Sequence, residues 1–218
     1  MRRVKLLFFS FVGYLLLAPQ ASLASGQELG IAYKHKTNNL TVVTNVDFRQ
    51  KNGHLFRKHF DLGLQSPIPY LDKSWLVGAH YRYVYTPANH SGWNLEKRPY
   101  LQLQKKFASP AILFIPALNW KIRNRQEFRF RQQKNDSKRH RLKVTVKSKN
   151  SFLNSHPFIA KEYYYDFLKD EITKSSFELG FQFPKINNIK TKLYYKYTST
   201  YKKAHWQPYS AVVLKLFF

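Results

Sequence analysis

Trp120-Lys-Ile-Arg-Asn-Arg-Gln-Glu-Phe-Arg-Phe-Arg-Gln132 carries two different chemistries on alternate residues. Trp120, Ile122, Asn124, Gln126, Phe128 and Phe130 make one row, and Lys121, Arg123, Arg125, Glu127, Arg129 and Arg131 make the other. A period of two is the mark of a strand with two unlike faces. In a water-soluble sandwich the apolar row would pack on a core and the charged row would meet solvent. Like charges in a row repel unless acids or water attend them. A closed barrel with a polar lumen supplies both, and its apolar row then looks outward at lipid. The run also exceeds the roughly five or six residues usual in soluble strands and suits the ~9–11 of membrane-crossing ones.

The same period recurs on both sides of this stretch. Trp75, Val77, Ala79, Tyr81, Tyr83 and Tyr85 alternate with Leu76, Gly78, His80, Arg82, Val84 and Thr86. Trp75, Trp93, Trp120, Trp206, Tyr85, Tyr201 and Tyr209 fall near expected strand ends, as the aromatic girdles of a membrane barrel require. Turn residues punctuate the chain at Lys51-Asn52-Gly53, Ser66–Pro69, Pro87–Gly92, Ser109–Pro116, Lys134–Ser137, Asn154–Pro157, Lys169–Glu171, Asn187-Asn188 and Lys202–Gln207. Ten strands lie between them: Leu40–Gln50, His54–Gln65, Trp75–Thr86, Trp93–Phe107, Trp120–Gln132, Lys138–Lys149, Pro157–Leu168, Thr173–Pro184, Ile189–Tyr201 and Gln207–Phe218. An eleventh segment, Glu28–Lys36, precedes them. Bacterial single-chain barrels have even strand numbers, so either this segment lies outside the wall or a twelfth strand exists. The fold expected is all-β: a closed antiparallel transmembrane β-barrel of about ten strands, with twelve as the alternative.

Both ends of the chain bear on location. Arg2, Arg3 and Lys5 precede an apolar run, Leu6–Leu17, and Ser22-Leu23-Ala24 offers small residues to a signal peptidase. Residues 1–24 thus read as a signal peptide, and 25–218 as one barrel domain. At the other end, Tyr209–Phe218 is a strand closing on Phe218, which resembles the assembly signal of bacterial outer-membrane barrels. The expected location is the bacterial outer membrane, and the expected partners are membrane lipid, lipopolysaccharide and the outer-membrane assembly machinery, with the barrel a monomer. The chain holds 37 Lys and Arg against 12 Asp and Glu, a formal charge of +25. Such a balance points to polyanions. An exported protein rarely meets nucleic acid, which leaves lipopolysaccharide phosphates as the polyanion at hand. Cysteine is absent, which excludes disulfides and thiolate sites.

Three stretches resemble an uncharacterised bacterial outer-membrane β-barrel family, the one called domain of unknown function 2490: Glu96-Lys-Arg98-Pro-Tyr100-Leu-Gln-Leu103, Arg123-Asn-Arg125-Gln-Glu127-Phe-Arg129 and Lys161-Glu162-Tyr163-Tyr164. The resemblance covers essentially the whole exported chain. It implies an outer-membrane barrel and no activity.

The inward rows should carry a lumenal charge network of Glu96, Arg98, Arg123, Arg125, Glu127, Arg129, Arg131, Arg141, Lys143, Glu162 and Glu178. About ten strands make a barrel only slightly wider than one that side chains fill. Interlocked Arg–carboxylate pairs are therefore the first expectation. Inward cations outnumber inward acids, and unpaired buried cations are costly, so water or an anion should attend the surplus. The function expected is an integral envelope barrel without evident catalysis, structural or passing small anions.

The alternative is a membrane-embedded hydrolase acting on lipid or lipopolysaccharide. Its one adjacent pair is His90-Ser91, and a nucleophile needs a base within hydrogen-bond reach and a third group to orient it. Glu162 and Asp166 could share a face as two carboxylates. No histidine spacing suits a metal, no phosphate loop is present, and no cofactor is expected. Two basic stretches, Lys134–His140 and Tyr201–Lys203, are expected in loops at the outer surface, where they could meet phosphate.

Overall fold

The structure, a computed structural model, describes residues 25–88, 92–111, 116–132, 135–202 and 204–218. Its elements are β1 (Gly26–Thr37), β2 (Leu40–Lys51), β3 (His54–Pro67), β4 (Trp75–Pro87), β5 (Trp93–Ser109), β6 (Leu118–Arg131), β7 (Ser137–Ser148), β8 (His156–Asp166), β9 (Glu171–Ile186), β10 (Ile189–Lys202) and β11 (His205–Phe217). Each strand pairs with its neighbours in chain order, and β1 pairs with β11, so the sheet closes on itself. The expected signal segment, residues 1–24, lies outside the described residues, as do His90, Ser91, Lys134 and Lys203.

The expectation of ten strands is corrected to eleven. Glu28–Lys36 sits inside β1, which pairs with β2 from Gly26↔Lys51 to Thr37↔Leu40. The sheet is not wholly antiparallel either: β1 and β11 run parallel, from Gly26↔Ala211 to Ala32↔Phe217. One fact explains both corrections. Each hairpin reverses the chain, so an odd number of strands leaves the first and last pointing the same way. Closure is then parallel. A parallel ladder satisfies the backbone groups nearly as well as an antiparallel one, so evenness is a habit of barrels and not a demand of hydrogen bonding.

Tight turns start several hairpins. Asn52 and Gly53 take φ of 49° and 77°, and Asn187 and Asn188 take 50° and 65°. These left-handed pairs match the twist of the strands they join. Pro99 has no N–H to donate, and the β5–β6 register passes from Lys97↔Phe130 to Tyr100↔Glu127 across it.

The two mouths of the barrel differ. The upper mouth holds the start of β1 and the β2–β3, β4–β5, β6–β7, β8–β9 and β10–β11 connections. The lower mouth holds the remaining connections, several of them longer, and the end of β11. Trp93 and Trp206 stand at the upper rim, Trp75 and Trp120 at the lower.

The packing is inside-out. Large apolar side chains are exposed on the outer wall, among them Leu62 and Leu64 at 48 % and Leu101 at 58 %. The buried positions are mostly charged or polar, with Asp61 and Glu127 at 0 %. Apolar faces out and charge faces in, as the alternation in Trp120–Gln132 predicts.

Candidate functional site in the barrel lumen

Strand register decides which charges meet in the lumen. Glu127 of β6 lies opposite Arg139 of β7. It accepts from Arg139 Nη2 at 2.5 Å and also from Arg141 Nη1. Arg141 continues to Glu162 of β8 at 2.8 Å, and Arg123 donates to the same carboxylate oxygen at 3.0 Å. The Tyr164 hydroxyl donates to the other oxygen of Glu162 at 2.8 Å, while the Arg141 guanidinium carbon lies 4.5 Å from the Tyr164 ring centroid. Glu96 holds Arg98 and Arg129, each at 2.6 Å. Arg129 also reaches Asp166 at 3.6 Å. Lys143 donates to both oxygens of Glu178 at 2.6 Å.

Nine of the eleven residues named from sequence therefore pair with opposite charge, in three separate groups. Among the described residues the other two side chains have no carboxylate partner. Arg125 donates to Gln102 at 2.8 Å and lies over the Tyr100 ring at 4.5 Å, and Arg131 donates to Ser137 Oγ at 2.8 Å. Glu162 and Asp166 bind cations, with Asp166 also accepting from the Leu168 amide at 3.1 Å. Arg139 was expected in a surface loop. It is 8 % exposed, because β7 begins at Ser137 and turns its side chain inward.

Sequence reasoning missed a second cluster on β3, β4 and β5. Asp61 accepts from Arg82 Nε at 2.7 Å and from the Tyr100 hydroxyl at 2.7 and 3.0 Å. His80 Nδ1 lies 3.2 Å from the same carboxylate, and its Nε2 lies 3.1 Å from Gln65 Nε2. The His80 and Tyr100 rings stack at 4.6 Å with 5° between planes. Gly63 makes the room, since a Cβ there would lie 1.9 Å from His80 Nδ1. An Asp-oriented histidine suggests a general base, but Gln65 occupies the place a nucleophile would need. A visible signal existed: Asp61 is a lone acid inside the apolar run Phe60–Leu64.

A third group, also missed, lies at the seam. Glu28 of β1 pairs with Lys196 of β10 at 2.9 Å and with Arg49 of β2 at 3.4 Å. Lys215 of β11 reaches Asp47 of β2 at 3.3 Å, passing over β1. With these, every acid on a lumen-facing strand position (Glu28, Asp47, Asp61, Glu96, Glu127, Glu162, Asp166 and Glu178) has a cationic partner.

Two of the cavities bear on the chemistry of the lumen. A small one of about 260 Å³ lies among these ion pairs, bordered by Glu28, Arg49, His80, Arg82, Glu162 and Lys196. The larger, about 670 Å³, opens at the lower mouth. Its walls hold Lys34, Lys106, Lys121, Lys147, Lys185, Lys190 and Lys192, with no Asp, Glu or Arg among them. Among the described residues no group of three or more His, Asp and Glu is arranged to hold a metal.

No family model matches the chain, and no curated protein or solved structure shows significant similarity to it.

Proposed function

We propose that this chain is an integral outer-membrane β-barrel whose upper lumen is an ion-paired core and whose role is architectural, without a continuous ion path. The observation that carries the closed lumen is burial. Arg98, Arg125, Glu127, Arg139, Arg141 and Glu162 are between 0 % and 8 % exposed. The wall of an open aqueous channel is wet along its length, and these side chains exclude water from one another.

The exterior supports the membrane reading. Each rim carries a Trp whose face holds a lysine: Lys58 Nζ lies 4.1 Å from the Trp93 ring centroid at the upper rim, and Lys105 Nζ 4.7 Å from that of Trp75 at the lower. Such amphipathic pairs suit the headgroup layer, with the ring toward acyl chains and the ammonium toward phosphate. From Trp93 to Lys105, β5 spans about 40 Å of strand. At a ~45° tilt this is roughly 28 Å of height, close to the hydrocarbon thickness of a bilayer. The motif resemblance to the outer-membrane family accords with this reading and adds no activity.

Purified protein refolded into detergent should migrate faster on a denaturing gel before boiling than after. Reconstituted into planar bilayers, the same sample should give no lasting conductance steps. Migration indifferent to boiling removes the membrane barrel, and stable steps in a heat-modifiable sample remove the closed lumen.

A further inference from the structure

We propose that the lower vestibule is a binding site for small anions bearing two or more phosphate groups. This deepens the preceding reading and rests on it only for a correctly closed barrel.

The first ground is charge without compensation. Seven lysine side chains share the walls of one cavity, with no Asp or Glu side chain among the lining residues. The nearest inward carboxylates are engaged, Glu178 with Lys143 and Asp47 with Lys215. Like charges around one cavity repel, and that repulsion is felt more strongly as water is excluded. A multivalent anion relieves it in a way that monovalent ions do not.

The second ground is the change of cation along the lumen. Where the barrel binds its own carboxylates in its middle, it mostly uses Arg, whose planar fork suits a carboxylate. In the vestibule it uses only Lys. Ammonium groups are point charges with freely turning donors and gather around tetrahedral phosphate oxygens without a fixed plane.

The third ground is preorganisation. With its oxygen turned toward them, the carboxamide of Gln182, itself 7 % exposed, accepts from Lys147 and Lys190 at 3.2 and 3.3 Å. It anchors both side chains without adding a counter-charge. Lys192 is held over Phe158 at 4.6 Å. Thr145, Asn119 and Asn188 add neutral donors to the same walls. The volume, about 670 Å³, falls within the roughly 300–1,000 Å³ of small-molecule sites.

The test uses inorganic tripolyphosphate titrated into the refolded barrel in zwitterionic micelles, followed by calorimetry. One equivalent should bind per barrel, with affinity falling steeply as salt rises. The double variant Lys121→Gln/Lys192→Gln should bind at least about tenfold more weakly. Lys97→Gln/Lys138→Gln, which removes the same charge from exposed positions at the other end, should match the parent. No binding, or equal loss in both pairs, overturns the site. The heat-dependent gel shift is recorded for every sample, so a sample that never closed counts against the barrel and not against the site. Cardiolipin added to the same micelles separates the sources. Competition with tripolyphosphate assigns the site to a lipid headgroup, and undiminished binding assigns it to a soluble phosphate.

Discussion

Glu127 is the residue on which the lumenal network turns. It has no exposed surface, and two guanidinium groups, Arg139 and Arg141, rest on it. Taking away one member of a buried ion group leaves the others desolvated and unpaired, at a cost of about 3–5 kcal/mol. Glu127→Ala should lower the unfolding free energy by that amount, read from denaturant titration of tryptophan fluorescence in micelles. Glu127→Gln, which keeps the shape and one acceptor, should cost less. A loss below about 1 kcal/mol for the alanine variant would mean that water reaches these arginines, since solvated pairs are worth no more than that. The arginine row of β6 was legible because like charges at alternate positions announce an enclosed polar face. Its partners were harder to read. Arg139 belongs to a basic run, Lys138-Arg139-His140, that reads equally well as loop, and only the register Glu127↔Arg139 turns it into a lumenal residue.

At the scale of the element, β1 departs most from expectation. Its lumen-facing row is Gly26, Glu28, Gly30 and Ala32, and small residues weaken the alternation that marks a strand. They are small because β11 reaches across them. A Cβ on Gly30 would lie 2.6 Å from Asp47 Oδ1 and 3.2 Å from Lys215, in the path of the Lys215–Asp47 pair. The Tyr209 hydroxyl passes over Gly26 in the same way, 3.5 Å from the Gln50 carbonyl. So β1 is the strand that its neighbours fasten over, and the glycines that hid it from a sequence reading are what let the barrel close. Gly30→Leu should force these clamps aside at about 1–3 kcal/mol. The expected result is a smaller fast-migrating fraction on unboiled gels, with the outward-facing Ile31→Leu unchanged. A Gly30→Leu barrel as stable as the parent would show that the cross-strand pair contributes nothing to closure.

For the whole molecule, the formal charge of +25 divides by height. In the middle each inward acid is engaged by a cation, and the arginines left over lean on neutral partners such as Gln102 and Ser137. At the lower mouth the lysines stand together. Composition alone signals a polyanionic partner. It cannot say that the charged side chains lining one mouth are lysines alone, because that depends on which strand ends meet in the closed sheet. Periodicity gave the strands, and the like-charged row of β6, the strand lengths and the aromatic placement pointed to a closed barrel with its apolar face outward. The strand number was not readable, since it hangs on one weakly patterned segment.

An odd tally of strands has an outcome that no even one shares: a chain that enters the wall at one mouth leaves it at the other. Two familiar guides to orientation then disagree here, because longer connections usually look outward from the cell, while the closing Phe218 belongs to an end expected inside. Epitopes fused before Gly26 and after Phe218 would settle the matter in intact cells. Antibody should reach one and never both, and whichever tag lights up names the side on which the lysine-lined mouth opens.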